Sequence, residues 1–213
     1  MLDTSTVKQE SEFYVLSKGG KICDWLPSLS LEEISPRDQA TIATRALVLN
    51  IVVNISFNAP IAVARKWLIE NHLMGSLTSE ERKIIESEAE PSEETKNLLR
   101  WNIESLWAIA WVGGFANDLW PIQEISNSLS SFFPSLKNNE SASTFYKKFK
   151  LRNPGEIYKK LDLFYRSHWH ARNSHLEGTD PAPFHLGVIQ QRRHLLEWVL
   201  HCETPWDDVD LST

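Results

Sequence analysis

PSEETKNLLRWNIESLWAIAWVGG, residues 91–114, is the longest stretch in which apolar residues recur every three or four positions. It is read as the central helix, closed by the paired glycines Gly113 and Gly114. Trp101, Glu104, Ser105, Ala108 and Trp111 fall on one stripe of that helix, which sets a carboxylate in what should be the driest part of the molecule. A lone buried carboxylate is costly or takes up a proton, so Glu104 needs a cationic partner.

Outward from this segment the pattern stays helical. SPRDQATIATRALVLNIVVNISF, residues 35–57, opens with Ser35 and Pro36 as a start signal and repeats Ile42, Ala46, Leu49 and Val53 on one face. Asn58 and Pro60 end it and begin a helix through residues 61–72; Thr78 or Ser79 starts another after a turn around Gly75. A short helix is expected from Pro121, then a polar loop around KNNESAS, residues 137–143. A long helix, NPGEIYKKLDLFYRSHWHARNSHL (153–176), and a last one over 187–202 complete the series. Only residues 12–26 alternate, around Gly19 and Gly20, and these are read as a small β-hairpin in an N-terminal extension, residues 1–34. The expected architecture is all-α, a single irregular multi-helix domain over residues 35–213.

At 213 residues with a net charge of −6, the chain has the size of one compact domain. Its amino terminus lacks a basic start and an apolar run, and its longest apolar segment is broken by asparagines and a proline. No membrane span is expected, and a cytoplasmic location is. Cys23 and Cys202, outside any CxxC pair, are read as separate reduced thiols. Charge is uneven: residues 78–96 and the tail CETPWDDVDLST are acidic, whereas residues 137–172 hold nine Lys or Arg against three Glu or Asp. Basic residues interleaved with Phe and Tyr suit nucleic acid, but the acidic whole and the absence of a recognition motif favour a solvated face.

The ordered set WNIESLWAIAWVGG, DLWP, RNPGEIYKKLDLFYRSHWHAR, GVIQQRRHLLEWV and WDDVDLST resembles the domain-of-unknown-function family 4272 of mostly bacterial proteins, over roughly residues 35–213. The family pattern has Trp and Glu at Trp101 and Glu104, and Asp, Tyr or Phe, Arg and Trp at Asp162, Tyr165, Arg166 and Trp169. It has Arg at Arg192 and Trp-Asp-Asp at Trp206, Asp207 and Asp208. This chain departs from it at Gln191, usually glutamate, at Glu197, more often Asn, and in its loosely matching DLST ending. The resemblance implies a fold and internal contacts, and no reaction.

On the long helix Asp162, Tyr165, Arg166, Trp169 and Arg172 or Asn173 are spaced by three and four and so share one face. Arg166, Arg172 and Arg192 are the candidate partners of Glu104, because guanidinium both pairs with carboxylate and stacks on indole. Two interpretations follow: an ion-pair network tying three helices together, or the floor of a pocket that recognises a carboxylate, phosphate or amine. Trp206 is expected to cover apolar surface, with Asp207 and Asp208 carried toward Arg166 or Arg172. His194, Glu197 and His201 have metal-ligand types, but the outer two stand two helical turns apart, so no metal and no cofactor are expected. No nucleophile or phosphate-loop signature accompanies these groups, and the balance falls against an enzyme. The sequence is read as a cytoplasmic protein-interaction module of immunity or antitoxin type. The alternatives are a small-ligand-binding or hydrolase-like enzyme using Glu104, Asp162 and Arg166, and nucleic-acid binding through residues 137–172.

Overall fold

The computed structural model describes residues 2–87 and 89–213, which form helices joined by turns with no strand among them. In chain order the helices are α1 (Thr4–Ser17), α2 (Gln39–Ser56), α3 (Ile61–Glu70), α4 (Ser79–Glu86), α5 (Glu93–Arg100), α6 (Asn102–Val112), α7 (Ala142–Lys148), α8 (Pro154–Glu177) and α9 (Leu186–Leu200). The chain divides into two compact units. A split unit is assembled from residues 1–37, 118–124 and 152–213; an inserted unit comprises residues 38–117 and 125–151.

The split unit is built on α8, which starts at the Asn153 cap with Pro154 in its first turn and stops at Gly178 in the left-handed conformation. α1 and α9 both pack on it. The hairpin expected over residues 12–26 is corrected by α1. Asp3 caps that helix by accepting from Ser5 N at 3.1 Å, and Val7, Ser11 and Val15 form its buried stripe. Gly19, at φ 82°, ends the helix rather than turning a hairpin, since only a residue without Cβ takes that conformation freely. The apparent alternation came from starting the pattern at Glu12, inside the helix.

The start of α2 also differs from expectation. Asp38, not Ser35, is the cap and accepts from Thr41 N at 2.9 Å and Thr41 Oγ1 at 2.6 Å. Ser35 and Arg37 instead give their N–H groups to the Leu200 and Val199 carbonyls at 2.8 and 2.9 Å, satisfying the open end of α9. The short helix expected from Pro121 is absent. Arg192 takes the Trp120 and Gln123 carbonyls at 2.6 and 2.8 Å, acceptors that a helix there would need for itself.

In the inserted unit α2 is the axis. It is buried nearly all round from Ile42 to Ser56, as an apolar helix without a polar face must be. It is also long and apolar enough to span a membrane, but 72% of it is buried inside the protein. A bidentate pair from Arg45 to Glu81, at 2.9 and 2.6 Å, ties α2 to α4, where Glu81 also completes the capping box with Thr78. The single central helix expected over residues 91–112 is two. Around Trp101 the bonds tighten to i→i+3, from Trp101 N to Leu98 O and from Glu104 N to Trp101 O. The break separates α5, with no buried residue, from α6, where every residue from Ser105 to Val112 is buried. α7, not foreseen in the sequence, follows the Ser141 cap and sets Phe145 between Phe115 and Phe133, at centroid distances of 5.2 and 5.4 Å. Both cysteines are free.

Gly113 closes α6 for a reason of space. A methyl group on it would stand 2.4 Å from the Phe149 ring, whereas one on Gly75 would meet nothing within 4 Å. Gly113→Ala is expected to destabilise the protein by ~1–3 kcal/mol through overpacking, with Gly75→Ala nearly neutral, as measured by urea denaturation.

Candidate functional site

The charged residues of α8 and α9 lie in the split unit, in two tiers. In the first, Arg166 binds Asp162 one turn before it through Nε and Nη2, at 3.0 and 2.8 Å. Its remaining N–H groups reach Glu12 of α1 at 3.3 Å and the Pro27 carbonyl at 3.1 Å. Asp162 is 0% exposed and Arg166 3%, so this tier is sealed. Tyr165 and Trp169, on the same helix, pack against Cys23, Leu26 and Leu29.

The second tier centres on Arg193. Its Nε and Nη2 both donate to Glu197 Oε1, at 3.1 and 3.0 Å, and Nη1 donates to His168 Nδ1 at 2.8 Å. Nη1 and Nη2 also hold the Leu211 and Ser212 carbonyls of the C-terminal segment, at 3.1 and 3.2 Å. A guanidinium has five N–H donors, and here all five are occupied. Its flat face lies 4.8 Å from the Tyr165 ring.

Because arginine can only donate, His168 Nδ1 must accept, which fixes a neutral imidazole with its proton on Nε2. Burial, reinforced by Arg193 and Arg172, pushes His168 down from 6.5 to about 4. Burial likewise pushes the Glu197 carboxyl up, against the pull of Arg193.

Two adjoining recesses, of about 180 and 210 Å³, share Glu197, His201 and Asp210 in their walls. Glu197 is 8% exposed. His201 Nδ1 donates to the Glu197 main-chain carbonyl at 2.8 Å and stands 3.4 Å from Oε2 of the same residue. Hydrogen bonds from Ser212 N and then its hydroxyl lower the pKa of the Asp210 carboxyl. A larger recess of about 300 Å³ in the inserted unit has Phe132, Phe133 and Phe145 in its wall, and there Glu140 is occupied by Ser135 N at 3.0 Å.

The C-terminal segment crosses α9. Trp206 meets His194 and Trp198 edge to face, at 4.5 and 5.4 Å, and His194 Nε2 donates to its carbonyl at 3.0 Å. On Trp198 also lies Arg37, 4.2 Å from the ring, which donates to the Trp198, His201 and Thr204 carbonyls and so caps α9.

Of the residues singled out in the sequence, Asp162, Tyr165, Arg166 and Trp169 come together as expected from their spacing. Trp206 covers the α9 surface. Arg172 reaches Thr213 Oγ1 at 3.4 Å, and Asp207 and Asp208 stand on an exposed 3₁₀ turn. Arg192 is fully buried and holds the 120–123 segment. Glu104 lies in the inserted unit, half-buried in the first turn of α6, where the helix dipole favours a carboxylate. It sits just past the 40%-exposed Trp101, at the margin of the core rather than its centre. Arg193, Glu197, His168, His201 and Asp210 were not assembled by sequence reasoning. The available signal was the Arg193–Glu197 spacing of four, the same one-turn interval as Asp162–Arg166.

These features define an all-α protein held together by buried arginine–carboxylate pairs. The chain belongs to the family described as Domain of unknown function (DUF4272), whose model matches residues 8–209 and so takes in most of α1. No curated protein and no solved structure matches it.

Two outcomes test the second tier. Arg193→Met leaves Glu197 buried without its counter-charge and frees the C-terminal segment, and should cost ~3–5 kcal/mol in denaturant unfolding. The other concerns acid. As pH falls from 6.5 to 4, the unfolded chain protonates His168 while the native state keeps it neutral, so stability drops across that window by up to ~3 kcal/mol. His168→Gln, which still offers an acceptor to Arg193, should show a shallower fall in melting temperature between pH 7 and 4.5.

Proposed function

We propose that this protein is a non-catalytic protein-binding module, of immunity or antitoxin type, whose partner presents a basic surface. One observation carries the reading. The deep charges of the split unit are engaged with one another or with main-chain carbonyls, while the carboxylate-rich recess beside Glu33, Glu197 and Asp210 remains open. A negative opening on a chain of net charge −6 favours a positive partner by attraction at long range.

An acid–base enzyme is the second reading, favoured by Glu197, whose carboxyl is pushed up by burial beside His201. Against it, Glu197 Oε1 accepts twice from Arg193, an ion pair that opposes proton uptake and ties the carboxylate to a fixed partner. A pocket built on Asp162 and Arg166 has no support, because both are closed to a substrate. Nucleic-acid binding through residues 137–172 is weakened in the same way. Arg152 pairs with Glu156, Lys159 with Glu10 and Arg166 with Asp162, while Lys160 lies 3.3 Å from the centre of the Trp120 ring.

The test is co-expression with the product of the adjacent gene, followed by purification and binding kinetics. A stable complex is expected, with an on-rate that falls steeply as salt is raised while dissociation changes little. A partner whose association is indifferent to salt would remove the electrostatic reading, and turnover abolished in a normally folded Glu197→Gln variant would replace it with the enzymatic one.

A further inference from the structure

We infer that the recess between the Leu129–Phe132 turn and α7, in the inserted unit, is a binding site for a small aromatic anion, a flat ring compound carrying a carboxylate or a phosphate. The inference is independent of the protein-binding reading above, which concerns the split unit.

The wall comes first. Phe132, Phe133 and Phe145 line the recess. Phe115, outside the lining, packs against all three, with its ring centre 6.1, 6.4 and 5.2 Å from theirs. Phe133 and Phe145 are 5% and 3% exposed and Phe132 is half-buried, so the aromatic surface is held by its own packing and a ligand does not have to order it. Phenyl rings favour a second aromatic ring, offset or edge to face, over an aliphatic chain of the same area. A space of about 300 Å³ lies at the small end for a ligand pocket, which suits a compound of one or two rings.

Charge narrows the occupant further. α7 brings Thr144 and Lys148, one helical turn apart, to the same recess. Among the described residues, neither the Thr144 hydroxyl nor the Lys148 ammonium has a hydrogen-bond or ion-pair partner. Glu140, the one carboxylate in the lining, is committed to its own turn: Oε2 accepts from Ser135 N at 3.0 Å, and its N–H donates to Ser135 O at 3.1 Å. From Leu129 to Lys150 the chain carries Lys137, Lys147, Lys148 and Lys150 against Glu140 alone, a net of +3 within a total of −6. None of these four lysines forms an ion pair among the described residues, whereas Arg152 and Lys159 just beyond them pair with Glu156 and Glu10. An unpaired positive rim beside an aromatic wall attracts anions and repels cations. A ring seated on the wall therefore turns its acid group to Lys148 and Thr144, an ammonium and a hydroxyl that both donate.

The experiment titrates the whole protein with naphthoate and with adenosine monophosphate, following the Thr144 methyl signal by NMR. Naphthamide and adenosine keep the rings without the charge, cyclohexanecarboxylate keeps the charge without an aromatic ring, and naphthylmethylammonium reverses the sign. Saturable shifts are expected with naphthoate or the nucleotide, and the tighter of the two names the source as an aryl acid or a nucleotide; each control should bind more weakly by about fivefold or more. Lys148→Gln alters an exposed side chain and should leave melting unchanged while weakening the anions by about fivefold, and Phe132→Leu should weaken them to a similar extent. Lys66→Gln, at an exposed lysine of α3, should leave binding as it was. Absence of saturable shifts with both anions, equal binding of the neutral or cationic controls, or affinities unmoved in both Lys148→Gln and Phe132→Leu would overturn the assignment. An equal loss in Lys66→Gln would do the same, since it would mark attraction to lysine in general rather than to this recess.

Discussion

The split unit depends on one guanidinium. Arg193 joins three parts of the fold: its own helix through Glu197, α8 through His168 and Tyr165, and the C-terminal segment through the Leu211 and Ser212 carbonyls. A lysine could not take its place, because an ammonium has three donors and no planar fork. The fork also acts on its neighbours: it opposes the upward push that burial gives the Glu197 carboxyl, and it makes His168 Nδ1 an acceptor.

The same device recurs with different partners. Arg45 binds Glu81 in the inserted unit, and in the split unit Arg166 binds Asp162 and Arg192 and Arg37 gather main-chain carbonyls. In each case burial of a charge is offset by directed hydrogen bonds to carboxylates or main-chain carbonyls as well as by charge, which is what keeps such a group from being a net loss. Arginine therefore does in this protein much of what helix caps and short loops do elsewhere. Arg37 closes α9, Arg65 closes α4 through the Ile85 and Ser87 carbonyls, and Arg192 holds a stretch of chain that forms no helix.

What the sequence made legible was whatever depends on neighbours along the chain. The spacing of Asp162, Tyr165, Arg166 and Trp169 gave their shared face, and Asn58, Thr78 and the Gly113 stop gave their helix boundaries, because those signals are local. Long-range bonds decided the rest. Ser35 and Pro36 look like a helix start, but the end of α9 claims their backbone, and the cap passes to Asp38. Pro121 looks like another, but Arg192 claims the carbonyls. The tier around Arg193 stayed hidden for the same reason: it is completed by carbonyls of Leu211 and Ser212, and a backbone acceptor carries no mark in a sequence. Asp207 and Asp208 are visible in a sequence because they are charged, whereas the Leu211 and Ser212 carbonyls that reach Arg193 are not.

The order in which the split unit is strung along the chain bears on how it is made. α1 is synthesised first, yet the α8 surface that buries Val7, Ser11 and Val15 comes only after the whole inserted unit has been made. The inserted unit, by contrast, draws on a nearly continuous run of chain and can collapse while translation proceeds. For that interval Val7 and Val15 of α1 are unprotected, and the contact of Glu12 with Arg166 closes a loop of more than a hundred residues, the kind of pairing that slows folding. On the ribosome the first helix is thus an orphan, open to chaperones and to wrong neighbours, until α8 emerges.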